Sequence, residues 1–557
     1  MPPQTPIEIR SLADVQHLIA QAEKIKPSTR KEMLSAISRL SKMLGHPLHD
    51  IPADLESLRA LLKKLHPVQA KLSKKSLSNV KAALILALRF TGVASELRLA
   101  TKETEQWAAF RHSGTASHHA YALSRFARFC TAQDIEPADV TDAVMGEYEA
   151  RLAGATINCG PSKVRIETAK TFNCILKRSD SNRPLLNARK GTAYITPPLT
   201  VYPQRLQQEI ETYLGRLADP DIFSEGDLAK PLRPYTLRNI KHHLRQVLDA
   251  AVTAGYEPSF FTGLEKLIDI KVVQAAFGVI AERSKHEVPI SLLNIASSLL
   301  AIARHEVRAP DEDIRRLSKL KTRIAQRTSQ HAGMSAKSER RMQQFEDPEN
   351  VVRFICLPEQ IFARARKGDL TRSTALEMMY AAAMTILFGN PMRASNLASI
   401  ELGKHLEPVK LGRKSVYRLH ISGEEVKNGV EILAEYHDGQ ADILRLYITK
   451  YRPLLSAEPG NYLFPKPSGG VRAAKHLSDG IKRFAGKYLG LEVSAHLFRH
   501  FAAYLFLEAH PGDYESTRRL VGHKKIDTTT AFYSPRSNRA AQKRYEAILA
   551  SKRGGKT

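Results

Sequence analysis

Residues 495–506 read AHLFRHFAAYLF, and residues 518–533 read RRLVGHKKIDTTTAFY. The first stretch sets His496 and Arg499 three residues apart in an apolar run. Three residues is close to one helical turn, so both groups share a helix face. The second stretch sets His523 directly after Gly522, 24 residues beyond Arg499, with Tyr533 ten residues further on. Two more cations come earlier in the same order. Arg393 lies in GNPMRASNLASI, and Lys427 follows 34 residues later in ISGEEVKNGVEI. Each element alone carries little. An arginine near a helix start is usually a surface charge, a turn lysine is usually solvated, and a single tyrosine is more often packed than reactive. The ordered set carries the information.

The surroundings of these residues read as helices interrupted by a small sheet. Residues 357–400 have helical texture, and MMYAAAMTILFGNPM from Met378 reads as a buried helix, too short for the roughly 20 apolar residues of a membrane span. Ser415–Tyr436 alternates and is rich in β-branched residues. It predicts two strands with a turn at Ser422–Glu425 and Lys427 between them. Helices resume through Tyr447 and are expected to the end.

This ordered set resembles the tyrosine recombinase (phage integrase) family, strongly over about residues 350–545 and more weakly over the helical units upstream. The resemblance implies a catalytic set of Arg393, Lys427, His496, Arg499, His523 and the nucleophile Tyr533. Four details depart from the family pattern. Asn396 stands where an acid is common, and Asn390-Pro391-Met392 replaces a Thr-Gly-Leu-like turn, with Pro391 expected to cap the next helix. Val426-Lys427 replaces Thr-Lys, and the step from His523 to Tyr533 is about one residue longer than usual. Tyr545 is a second phenol further along and ranks below Tyr533.

The chemistry agrees with the residue types. Breaking a phosphodiester needs a nucleophile, a clamp on the charged phosphate and protonation of the leaving oxygen. A phenol conserves the bond energy in a covalent phosphodiester. Two guanidiniums, Arg393 and Arg499, can hold the non-bridging oxygens. His523 adds a hydrogen bond to the phosphate, Lys427 serves as general acid at the 5′-oxygen, and His496 assists proton transfer or steadies the phosphate. The resemblance implies a 3′-phosphotyrosine intermediate with no cofactor, metal or nucleotide. Double-stranded DNA is the implied partner, with a homo-tetramer in the synapse and partner recombinases open. The alternatives are a catalytically silent DNA-binding or architectural relative and a type IB topoisomerase-like relaxing enzyme.

The upstream chain reads as helical units. In residues 10–98 the clearest stripe is Leu77, Val80, Leu84, Ala87 and Leu88, with Lys74 and Lys75 just before that helix. A second unit, about 103–185, shows an apolar face of Ala122, Phe126, Phe129 and Cys130. Residues 178–203, rich in Pro, Asn and Ser, read as a linker. A third unit, about 204–312, shows Thr236 as N-cap and a stripe of Leu237, Ile240, Leu244, Val247, Leu248 and Ala251. Units two and three share a rough plan, with turns near Asp134 and Gly255. Residues 315–341 hold nine Lys/Arg and one acid and read as a basic linker, either a strap along DNA phosphates or a solvated tether.

Composition narrows the classes. Of 557 residues, 84 are Lys or Arg and 57 are Asp or Glu, a net charge of +27 that points to a polyanion more than to mere solubility. Hydrophobic residues make up 43%, enough for real cores. The N-terminus lacks a secretory h-region, and Cys130, Cys159, Cys174 and Cys356 form no zinc or disulfide pattern, so a reduced compartment, cytoplasmic and nucleoid-associated, is expected. The tail Ser534–Thr557 carries seven Lys/Arg, and AAQKRYEAILA within it has helical texture. The expected fold class is mainly α: helical N-terminal DNA-binding units, then an α+β tyrosine-recombinase catalytic domain with a small antiparallel sheet. The expected domains are residues 1–100 (helical, suited to arm-type or extra DNA binding), 101–200 (a second helical unit plus linker), 201–345 (core-binding helices and basic linker) and 346–557 (catalytic domain with tail).

Overall fold

The computed structural model describes residues 9–557 except 114–116, 158–159, 180–182, 189–195, 222, 224–229, 285–287, 329–333, 412–413, 459, 528, 532–544, 547, 552 and 554–557. It forms two compact units, Met1–Gly191 with Gly333–Thr557, and Thr192–Ala332. Among the described residues no helix is long and apolar enough to cross a membrane.

The first unit opens with α1 (Leu12–Gln21), α2 (Pro27–Leu44), α3 (Leu55–Lys64) and α4 (Lys74–Phe90). All five residues of the expected α4 stripe are buried. Lys74 and Lys75 are not upstream of this helix but are its first two residues. Ser73 accepts from the Ser76 amide and starts the helix ahead of its apolar pattern. Next come α5 (Glu105–His112), α6 (Ser117–Thr131), α7 (Asp142–Ala155) and α8 (Pro161–Ser179), closed around Trp107, Phe126, Tyr148 and Phe172. On α6, Ala122 is exposed, contrary to expectation. Leu123 fills the inward position because it sits three and four residues before Phe126 and Ala127. Burial pushes the Cys130 thiol up to about 12. The expected linker is partly structured. Helix α8 runs through Ser179, and Asn173 brackets the Leu186 backbone with bonds of 2.8 and 2.9 Å.

The second unit holds α9 (Gln204–Ala218), α10 (Pro234–Thr253), the single turn α11 (Leu264–Leu267), α12 (Ile270–Arg283), α13 (Ile290–Ala301) and α14 (Asp311–Arg327). The α10 stripe packs inward as expected. Thr236 is not its N-cap, because Pro234 takes the first helical position, where its missing N–H costs nothing, and Arg233 becomes the cap. The described residues of the basic segment 315–341 are mostly helical. The helices are α14 and, in the first unit, α15 (Ala336–Gln343). Leu317 and Ile324 of α14 are buried, with Ile314 and Leu320 packed beside them, so the third helical unit extends past 312. The apolar spacing was present but diluted by charge on the other faces.

The first unit continues with α16 (Pro348–Ile355), α17 (Leu357–Ala365), α18 (Arg372–Gly389) and α19 (Ala394–Ala398). A three-stranded antiparallel sheet follows: β1 (Leu406–Leu411), β2 (Lys414–Ile421) and β3 (Ile432–Tyr436), in that order. Leu419 lies opposite Leu406 on one side and Ala434 on the other. Strands β2 and β3 match the expected pair. Strand β1 was not expected, because Pro408 argues against a strand, yet a proline is tolerated on an edge, where β1 lies. Then come α20 (Asp438–Leu446), α21 (Ala474–Leu489), α22 (Leu497–Ala509) and α23 (Tyr514–Val521). The helical run is broken at residues 456–473, which make only isolated bridges such as Glu401 with Tyr462 and Pro465 with Val471.

As expected, the stretch of α18 from Met378 to Leu387 is buried, Tyr380 partly so, and α18 packs on α20, α21 and α22. Gly480 of α21 lies against the Tyr380 ring, where an added Cβ would overlap it. Alanine normally favours a helix over glycine by about 1 kcal/mol. Here Gly480→Ala is expected to lower stability by about 1–3 kcal/mol through overpacking, measured by denaturant unfolding.

Candidate active site

Arg499 is placed by the core beneath it. Phe498, its neighbour on α22, packs on Phe354 at 5.0 Å and Phe388 at 4.9 Å between ring centroids. This fixes the start of α22, with His496 in the N-cap position but without a side-chain capping bond. Arg499 is only 5% exposed, and its Nη1 donates to the Pro391 carbonyl at 3.1 Å. Pro391 therefore does not cap α19. It lies in the turn after α18, and Arg393 takes the cap position. Asn396, in place of the family's acid, is buried one turn along.

Arg393 reaches across to the β2–β3 turn, where its Nη1 donates to Asn428 Oδ1 at 3.0 Å. Asn428 in turn donates from Nδ2 to the Gly522 carbonyl at 2.7 Å. Gly522 ends α23 in the left-handed region, φ 61, which turns the chain so that His523 follows at the site. The Arg518 guanidinium donates to the His523 carbonyl at 2.8 Å and steadies this turn. Lys427, next to Asn428, is exposed and holds no hydrogen bond or ion pair among the described residues.

His523 Nδ1 lies 3.0 Å from Thr529 Oγ1. A hydroxyl donating to Nδ1 selects the tautomer that carries its proton on Nε2. Burial, then the charges of Arg499, Arg393 and the neighbouring His496, bring the His523 pKa down to about 4. His496 is also held below its usual range, by the protein around its ring and then by Arg499 and Arg393, although the residue as a whole is exposed. Its ring stands edge-on to buried His500, 4.9 Å between centroids. Arg393, Asn428, Arg499 and Gly522 line one open cleft. Five of the six sequence-derived residues thus gather at or beside one place. The sixth, Tyr533, lies outside the described residues, as do residues 534–544 of the tail. Tyr545 is exposed on a short helical stretch. Among the described residues no three His, Cys, Asp or Glu side chains converge as a metal site.

Residues 359–539 match the model of the Phage integrase family. This segment is a phage integrase domain. No curated protein matches the chain. Among solved structures, a lambda integrase dimer bound to a COC′ core site is 16% identical, with a TM-score of 0.33 over 58% of this chain and 96% of that one. The XerH site-specific recombinase bound to a palindromic difH substrate, a post-cleavage complex, is 12% identical, with a TM-score of 0.28 over 56% of this chain and 97% of that one.

Within the integrase domain, Asn428 is the residue that sequence reading missed. An asparagine in a turn reads as a turn former, and nothing local shows that it joins Arg393 to Gly522. Asn428→Ala is expected to slow single-turnover DNA cleavage by about 10–100-fold, the equivalent of one or two hydrogen bonds to a charged or buried partner. DNA affinity should hold within a few-fold.

A second expectation follows from His523. Its folded pKa is below its unfolded value near 6.5, so the unfolded chain binds the extra proton. This contribution to stability is present above pH 6.5 and is lost as pH falls toward about 4. Melting temperature should drop between pH 7.5 and 5, and His523→Gln should shrink the drop.

Proposed function

We propose that this protein is a site-specific DNA recombinase that cleaves and rejoins duplex DNA through a 3′-phosphotyrosine intermediate, encoded by a mobile element. The observation that supports this reading is that Arg393 and Arg499 line one cleft in a phage integrase domain, with the His496 and His523 rings near enough to feel both charges and Lys427 between the cleft-lining Val426 and Asn428. Two guanidiniums and a neutral imidazole make a donor set suited to the non-bridging oxygens of one phosphate.

In the proposed reaction the Tyr533 oxygen bonds to phosphorus and the bond to the 5′-oxygen breaks. Lys427 gives a proton to that leaving oxygen, and His496 takes up the phenolic proton or steadies the phosphate. Its ammonium, exposed on a turn with no partner among the described residues, suits Lys427 to closing over bound DNA. Attack by another strand's 5′-hydroxyl reverses the step and exchanges strands. The enzyme acts as a tetramer in the synapse, with the helical units upstream embracing DNA. On α14, Lys319, Arg323 and Arg327 recur every four residues on the exposed face with no acidic partner among the described residues, which supports a phosphate-tracking strap.

The deciding experiment uses the full protein and a DNA library. Sites recovered by covalent capture are cloned in pairs and assayed for strand exchange against relaxation of supercoils. Exchange between sites is expected. Relaxation alone would favour a topoisomerase, and tight binding with no covalent adduct would favour a silent architectural relative.

A further inference from the structure

The turn that carries Lys427 is gripped twice, once on each side of that residue, and both grips come from the short segment 393–405. On the far side, Arg393 at the cap of α19 bonds Asn428. On the near side, Lys404 and His405, in the bend between α19 and β1, take the Glu425 carboxylate. Lys404 Nζ donates to Glu425 Oε1 at 2.6 Å. His405 Nε2 lies 3.2 Å from Oε2 and 3.3 Å from Oε1. Ser422 Oγ adds a longer bond to Oε2, 3.4 Å. Val426, next to Glu425, is buried in the main core. Lys427 therefore stands between held neighbours while its own side chain is exposed.

His405 is an oriented donor. It is only 4% exposed, and the Glu401 amide donates to its Nδ1 at 3.0 Å. That bond selects the tautomer with the proton on Nε2, the nitrogen that faces Glu425. Glu401 is itself fixed. It bridges Tyr462, while Ile400 and Leu402 on either side bond Leu463 and Asn461 at 2.8 Å. The turn is also closed by its own backbone. The Val426 amide bonds the Gly423 carbonyl at 3.2 Å, and the Gly429 amide bonds the Val426 carbonyl at 3.0 Å, with Gly429 at φ 69. A turn tied in this way moves as one piece, so an orientation set at Glu425 is passed to Lys427 two residues on. Exposed ion pairs such as Lys404 with Glu425 add little to global stability, so the consequence lies in where the turn is held.

We propose that Glu425, held by His405 and Lys404, is a positioning residue for proton delivery, setting the turn so that the Lys427 ammonium meets the leaving 5′-oxygen. The proposal rests on the reading of Lys427 as general acid in a DNA-cleaving enzyme. The test uses the full-length protein and two nicked duplexes that carry the cleavage site and differ in one atom, a bridging 5′-oxygen or 5′-sulfur at the scissile phosphate. With sulfur, the Tyr533 oxygen bonds to phosphorus, the P–S bond breaks and the thiolate leaves with the bonding pair. A thiol is acidic enough that no proton has to be delivered to it. On the oxygen duplex at saturating protein, Glu425→Ala should cleave about 5–50-fold slower than wild type, the range for one lost hydrogen bond to a charged group. DNA affinity should hold within a few-fold. Glu425→Gln keeps an acceptor for His405 and should recover part of the rate. On the sulfur duplex, Glu425→Ala and Lys427→Ala should both come within a few-fold of wild type, whereas Arg499→Ala should stay slow. If Glu425→Ala does not fold by circular dichroism, Glu425→Gln carries the test, with a smaller loss on oxygen and none on sulfur. No loss on oxygen would overturn the positioning role. An equal loss on both duplexes would overturn it too, and would place the effect in Arg393 through Asn428 or in the fold at large. Lys427→Ala at full rate on oxygen would instead overturn the general-acid reading, and wild type that forms no adduct on either duplex would overturn the recombinase reading.

Discussion

Tyr533→Phe is expected to abolish covalent capture of DNA while leaving binding nearly intact. The phenylalanine ring keeps the shape of tyrosine but has no oxygen to bond phosphorus, so no other group in the set can replace it. The phosphate clamp does not depend on the phenol, because Arg393 and Arg499 are held by Asn428 and the Pro391 carbonyl. A nicked suicide substrate traps the adduct, read as a shifted band on a denaturing gel. Wild type should accumulate it, Tyr533→Phe should give none, and Tyr545→Phe should resemble wild type. Adduct from Tyr533→Phe would place the nucleophile elsewhere and would sink the proposed mechanism.

Arg499→Ala carries the next largest effect, a loss of about 10³-fold or more in the cleavage rate. A nearly buried guanidinium is screened less than one at the surface, so a preorganised charge there counts for more. Arg499 is nearly buried and already oriented by the Pro391 carbonyl, so it does not reorganise when charge builds on the phosphate. Arg499→Lys should recover little, because an ammonium cannot reproduce the planar two-pronged contact. Overall affinity should change only slightly, since one phosphate contact among many is lost. A rate within tenfold of wild type would remove Arg499 from the clamp.

Much of the integrase domain was legible in the chain. The His496-to-Arg499 spacing and the β2–β3 alternation are local patterns, and each reports a periodicity that the backbone obeys wherever it folds. The misses have physical reasons too. Strand β1 was hidden by Pro408, which only an edge position permits. Helix α14 was hidden by charge density, which a composition reading takes as disorder although Leu317 and Ile324 keep helical spacing. The first-turn place of Lys74 and Lys75 turned on one serine hydroxyl.

By itself the sequence determined which groups are available for chemistry, in what order, and on which kind of element each would sit. Those properties depend on residues three to ten apart. Only tertiary structure decided that Arg393, Asn428 and Gly522 form one chain of hydrogen bonds, although Asn428 and Gly522 are 94 residues apart. Long-range pairing is set when apolar faces close on one another, and no short window of sequence contains that event.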